Sequence, residues 1–167
     1  MQPPAQFLPL WAQVALTVVP ALSAILAALA LLLNVRQSLR TNAQARAALV
    51  AGCLKGFTDD SQIQKAFYAI EYSEFKYNEE FHNSQLERDI DKLLRHFSNI
   101  ALSWQSGLLR TKDVKPLQYY LLRVLRDQEI QSYLKFIADW SKQAATGEHP
   151  YSVLVKLGNE LSGEGSS

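Results

Sequence analysis

The sequence predicts an all-α protein: a single N-terminal transmembrane helix that continues into a stalk, followed by a small helical bundle of four to five helices. Three observations predict it. Residues 14–33 form an apolar run interrupted only by Thr17, Pro20 and Ser23. From Asn34 onward, apolar residues recur every three or four positions, the period of a helix face. No stretch alternates as a strand would, and no repeat of 20–50 residues is visible.

The apolar run has the length of a membrane span. At about 1.5 Å per residue, a helix over Val14–Leu33 crosses a hydrocarbon core of roughly 30 Å. Leu8–Gln13 is expected to add a turn, placing Trp11 at the interface where aromatic side chains collect. Pro20 is tolerated at membrane depth and should bend the helix or free a carbonyl. A cleaved leader needs a basic start and a shorter apolar centre, and "MQPPAQFLPL" carries no basic side chain. The expected organisation is therefore a short extracytoplasmic segment at 1–7, a transmembrane helix at 8–33, a basic juxtamembrane stalk at 34–57, a helical domain at 58–161 and a disordered tail at 162–167.

Charge sets the orientation. The formal net charge is only +1, but residues 1–35 contain no Lys, Arg, Asp or Glu. Arg36, Arg40, Arg46 and Lys55 then follow with no acid among residues 36–57, which leaves 13 bases against 16 acids in the remainder. Positive charge on one flank predicts an N-out, C-in anchor in the cell's inner (plasma) membrane, with a cytoplasmic helical domain. Arg36, Arg40 and Arg46 are the expected membrane-interface residues, each attracted to anionic lipid by about 1 kcal/mol. A nucleic-acid binder would instead spread basic surface across its domain. Thr17, Ala21, Ala24 and Ala28 lie on one small-residue stripe, a candidate packing face between transmembrane helices. Thr17 and Ser23 supply too little polarity for a pore.

The stalk follows Val35, Leu39, Ala43, Ala47, Val50, Leu54 and Phe57 and ends at "FTDDS", where Asp60 or Ser61 can cap the next helix. That second helix is predicted at about 61–77 on Ile63, Phe67 and Ile70, and "YNEEFHN" reads as a polar connector. A capping box, Ser84-Gln85-Leu86-Glu87, starts the third helix. Its face carries Leu86, Ile90, Leu93, Phe97, Ile100 and Trp104, and Gly107 takes the left-handed position after its end. A fourth helix is predicted at about 113–126 on Val114, Leu117, Leu121 and Val124, with Pro116 in its first turn. A fifth carries Ile130, Leu134, Ile137 and Trp140, with "RDQE" as a break or a continuation. A last helix at 151–161 packs Leu154, Leu157 and Leu161. Aromatics at 67, 97, 104, 133, 136 and 140 are expected to bulk the core.

Chemistry is harder to find. Glu87 and Asp91 share a helix face, as a general acid–base or metal-binding pair would. Arg88 and Arg95 stand at helical spacing from Asp91, however, so the cluster reads as a salt-bridged face worth about 0.2–0.5 kcal/mol per pair. His82, His96 and His149 have no local ligand spacing. No Gly-x-Ser-x-Gly turn or phosphate-cradling glycine loop occurs. The single Cys53 excludes an internal disulfide and reads as a small core hydrophobe, with acylation or thiol reactivity as alternatives. The tyrosines and tryptophans lack the basic groove that base stacking requires and read as core and partner surface.

With the third helix in place, Leu86, Arg88, Ile90, Leu94, Phe97, Ile100, Ala101, Gly107 and Leu108 resemble a bacterial family of small membrane-anchored helical proteins of unknown function, over about residues 60–140. Where that family often has an acidic residue after the aromatic, this chain has Ser98-Asn99. The resemblance implies a fold and a membrane location, and no catalytic residues. The expected function is a non-enzymatic single-pass membrane protein whose helical domain serves as an interaction module, scaffold or accessory subunit. Its expected partners are the lipid bilayer and a protein or second copy, with no nucleic acid, small-molecule substrate, metal or cofactor. The alternative is a membrane-acting effector of a stress or phage-defence system that oligomerises through its transmembrane helix.

Overall fold

In a computed structural model the backbone is described at residues 9–144 and 147–163, and side chains at 26–144 and 147–163 together with 9, 18, 22 and 23. The described residues are all-helical, with no strand among them. Two units meet between Ala45 and Arg46. The first helix, α1 (Leu10–Asp59), contributes to both.

In the first unit, every described side chain from Leu26 to Ala45 is exposed. Leu26, Leu29, Leu31, Leu32 and Leu33 lie on all sides of the helix, so no single stripe is available to bury against a domain. Among the described residues, no helix is long and apolar enough to cross a membrane. Nine of the twenty residues of the predicted span 14–33 have side chains outside the described set.

The second unit is a helical bundle. The end of α1 sends Val50 and Phe57 into its core, with Cys53 and Leu54 packed alongside. Helix α2 (Ser61–Glu71) starts at Asp60, whose carboxylate accepts from the Gln62 and Ile63 amides at 3.0 and 3.3 Å. It stops six residues before the predicted end. Ser73 turns left-handed at φ 58°, and the Glu74 and Phe75 amides both fold back onto the Ala69 carbonyl. This turn delivers Phe75 to the core, and Phe81 in a 3-10 turn (Glu79–Phe81) is buried beside it with ring centroids 5.1 Å apart. The connector that reads as polar is thus pinned by aromatics.

Helix α3 (Gln85–Gln105) is the central element and packs on both α2 and the last helix. Its predicted apolar face is buried at Ile90, Leu93, Phe97 and Ile100, and Gly107 adopts φ 77° after its end. Ser84 accepts from the Glu87 amide at 3.1 Å, but Glu87 reaches back to the amide of Asn83 rather than that of Ser84. The predicted fourth helix is three pieces: α4 (Thr111–Val114), a 3-10 turn (Lys115–Leu117) that accommodates Pro116, and α5 (Gln118–Leu125). A separate α6 (Gln128–Gln143) follows, because Asp127 caps it through the Glu129 and Ile130 amides at 3.1 and 3.2 Å. Helix α7 (Ser152–Gly163) closes the bundle and includes two residues of the predicted tail; residues 164–167 lie outside the described set.

Phe57 organises the core. Its ring lies 5.3 Å from Phe67, 5.9 Å from Phe97 and 4.8 Å from Tyr120, joining α1, α2, α3 and α5. Two of the aromatics expected inside are at the surface: Phe136 and Trp140, the latter 58% exposed. Apolar period alone does not distinguish a core position from one at the edge of α6, where the Phe136 ring borders the connector through His82.

Candidate interaction surface

The expected interface residues separate into three groups. Trp11, Thr17, Ala21 and Ala24 have side chains outside the described set, and Ala28 is exposed. Arg36 and Arg40 are exposed on the first unit. Arg46 behaves differently. Its Nε lies 3.1 Å from Asp113 Oδ2, with both side chains only 20% exposed, an ionic contact without aligned hydrogen-bond geometry. The same carboxylate accepts from the Arg110 amide at 3.0 Å at the start of α4. Arg46 thus joins α1 to α4 inside the helical domain, which sequence spacing from the apolar run does not reveal.

The most developed surface lies where α2 meets α5. Tyr68 and Tyr72 stack with centroids 5.8 Å apart and planes 11° from parallel. Tyr119 stands on α5, and its hydroxyl donates to Glu71 Oε1. All three rings are exposed, Tyr72 by 67% and Tyr119 by 58%. Arg123 holds the two helices in register beneath them. Its Nη2 donates to the Ile70 and Glu71 carbonyls at 2.7 and 3.0 Å, and its Nε lies 2.9 Å from Glu71 Oε2. A guanidinium at the C-terminus of α2 meets both the open carbonyls and the negative end of the helix dipole. The same Arg123 reaches Asp127 at 3.5 Å. The tyrosines are therefore presented on a fixed frame. Rigid aromatic rings offer contact area at low entropic cost, the composition that dominates protein interfaces.

The candidate acid–base pair is divided between two networks. Glu87 meets His82 Nδ1 at 3.2 Å, and His82 Nε2 meets the Tyr77 hydroxyl at 3.2 Å. Burial and the Glu87 charge push the Tyr77 hydroxyl above its ordinary value, which makes it a weaker acid that keeps its proton. The chain instead locks the connector against α6, where His82 and Phe136 rings lie 4.7 Å apart. Asp91 accepts from the Tyr133 and Tyr151 hydroxyls at 2.9 and 3.0 Å and pairs with Arg95 at 3.6 Å. Of the predicted salt-bridged face, the Asp91–Arg95 pair forms, while Arg88 turns to Gln85 and to the Asn83 carbonyl.

His96 is half-buried beside the end of α1. It bonds to the Cys53 carbonyl, its Nε2 is buried without a partner, and burial pushes its pKa below the ordinary value. Burial likewise pushes the Cys53 thiol up, away from the reactive thiolate. Among the described residues, no group of three or more His, Cys, Asp or Glu side chains is placed to hold a metal ion.

The fold and surface thus define a helical-bundle domain with an exposed tyrosine face, preceded by an apolar helix. No protein-family model matches the chain, and comparisons with curated proteins and with solved structures give no match.

Proposed function

We propose that this protein is a single-pass membrane-anchored interaction module. An apolar N-terminal helix holds it in the inner membrane, N-out and C-in, and the helical domain docks a protein partner from the cytoplasmic side. The observation that carries the reading is the apolar sleeve of α1. Leu26, Leu29, Leu31, Leu32 and Leu33 are all more than half exposed and point in every direction around the helix. A helix apolar all round is stable when surrounded by apolar material, and lipid is the surrounding that a 20-residue run with flanking arginines fits. The described part of that run is shorter than the run itself, which extends back to Val14. Arg36 and Arg40 follow it directly and support the orientation.

The interaction half of the proposal rests on the tyrosine face. Tyr68, Tyr72 and Tyr119 expose large rings that Arg123 and Glu71 hold in place. The resemblance noted for Leu86–Leu108 agrees with an anchored, non-enzymatic helical domain.

Two measurements test the halves separately. Alkaline carbonate extraction of native membranes should leave the chain in the pellet; release into the supernatant overturns the anchor. A photocrosslinking amino acid at Tyr72 or Tyr119 should yield a discrete protein adduct, and the same probe at Lys156 should not. Adducts equal at all three positions, or absent from all, overturn the docking face.

A further inference from the structure

A groove of about 300 Å³ runs between α5, α6 and α7, within the size range of small-ligand sites. Its floor is apolar, built from Leu122, Leu134 and Val155. At Gly158 the floor is bare backbone, because a Cβ there would collide with Leu125 Cδ1 where α7 crosses α5. The contact that brings these helices together thus leaves a hollow beside it that no side chain fills.

The rim has one sign. Arg126, Lys135 and His149 line the groove, and among the described residues no Asp or Glu does. Several cations elsewhere in the domain have carboxylate partners, Lys92 with Asp60, Arg95 with Asp91, Arg123 with Glu71 and Lys156 with Glu148, while Arg88 bonds to Gln85 and the Asn83 carbonyl. Among the described residues Arg126 donates to the Ser162 hydroxyl, at 3.2 Å, and neither it nor Lys135 has a carboxylate partner. Two cations without an ion pair among the described residues thus stand together at the edge of an apolar trough, a charge pattern that suits an anionic head group.

We propose that this groove binds a single-chain amphipathic carboxylate, its alkyl chain lying on Leu122, Leu134 and Val155 and its head group meeting Arg126 and Lys135. The chain removes apolar floor from water, and the guanidinium of Arg126 offers a carboxylate the paired N–H geometry it favours. The small volume suits one chain rather than a docked helix. The groove lies wholly within the helical domain, so the site does not depend on membrane anchoring.

The test is a titration of the full chain, methyl-labelled and held in phosphatidylcholine nanodiscs, with octanoate. Saturable shifts at the Leu122, Leu134 and Val155 methyls are expected. Lys135 is exposed, so Lys135→Glu should fold normally and weaken binding about tenfold or more, the scale of a lost charge-assisted contact. Octylammonium should give no saturable shift. No saturable shift with octanoate, equal binding of octylammonium, or an unchanged affinity in Lys135→Glu each overturns the proposal.

Discussion

Tyr133 and Asp91, 42 residues apart in the chain, meet in a hydrogen bond of 2.9 Å from the tyrosine hydroxyl to the carboxylate. Tyr151 donates to the same oxygen at 3.0 Å from a further 18 residues along. One carboxylate on α3 therefore gathers α6 and the entry to α7. A hydrogen bond to a charged acceptor contributes about 1.5–3 kcal/mol when enclosed, and this one is discounted because the Asp91 side chain is 25% exposed. Tyr133→Phe is expected to cost about 1–2 kcal/mol, and Asp91→Ala about 2–3 kcal/mol because it leaves two hydroxyls without their acceptor. Urea denaturation followed by tryptophan fluorescence measures both. A loss below about 0.5 kcal/mol for Asp91→Ala, typical of surface positions, contradicts the latch.

The same pair sets an alkaline limit. Burial first, and then the Asp91 charge, push the Tyr133 and Tyr151 hydroxyls above their ordinary value of 10.0. The folded chain then keeps protons that the unfolded chain releases, so this stabilisation is complete below pH 10 and is lost as pH rises above it. Tyr77 and Tyr119 are raised as well, but the largest lag in tyrosinate absorbance should belong to Tyr133 and Tyr151 and should end together with loss of helical circular dichroism. In Asp91→Ala the lag should shrink.

His96 sets a limit on the acid side. Burial lowers its pKa from 6.5, so the unfolded chain takes up a proton that the folded chain resists. Stability is present above pH 6.5 and falls as pH drops below it. The neighbouring Asp60 charge opposes the shift, and the bond to the Cys53 carbonyl does too. His96→Leu should flatten the dependence between about pH 6.5 and 5, a window above the usual carboxylate range. His149 is lowered as well, chiefly by burial, so the slope that survives in His96→Leu belongs to it. Denaturation midpoints across this window, unchanged between variant and parent, would falsify the assignment.

Backbone conformation supplies a stabilising change and a destabilising one. Ser73 sits at φ 58°, a region that costs a side chain about 1 kcal/mol, so Ser73→Gly should gain roughly 0.5–1 kcal/mol. Gly107 at φ 77° has open space around it, so Gly107→Ala tests conformation without collision and should cost about 1 kcal/mol. Melting temperatures should move in opposite directions.

Ser84 caps the central helix, and its oxygen accepts from the Glu87 amide at 3.1 Å. Ser84→Ala should cost about 1 kcal/mol, while Ser84→Asp should retain most of the stability. Equal losses in both, read from denaturant midpoints, would mean that the cap contributes nothing specific.

Local chemistry was legible where it decides structure alone. Asp60 and Ser84 are short polar caps before apolar periods, and each starts a helix as its side chain dictates. Gly107 ends α3 because an unbranched backbone turns left-handed most easily. The early end of α2 was not legible, since the apolar period continues through Phe75 and only the fold-back onto Ala69 reveals the turn. The division of Glu87 from Asp91 was likewise hidden, because their partners arrive from residues 77, 82, 133 and 151.

The sequence by itself determined the all-helical class, the central amphipathic helix and the location of its caps. Those depend on hydrogen bonds and side-chain faces within a few residues, which spacing encodes directly. Tertiary structure alone decided that Arg46 joins Asp113, that Tyr68, Tyr72 and Tyr119 form one exposed face, and that Arg126 and Lys135 border the trough between α5, α6 and α7. Each of these depends on which helices pack together, and that choice is made by the shape of the whole core around Phe57 rather than by any local pattern.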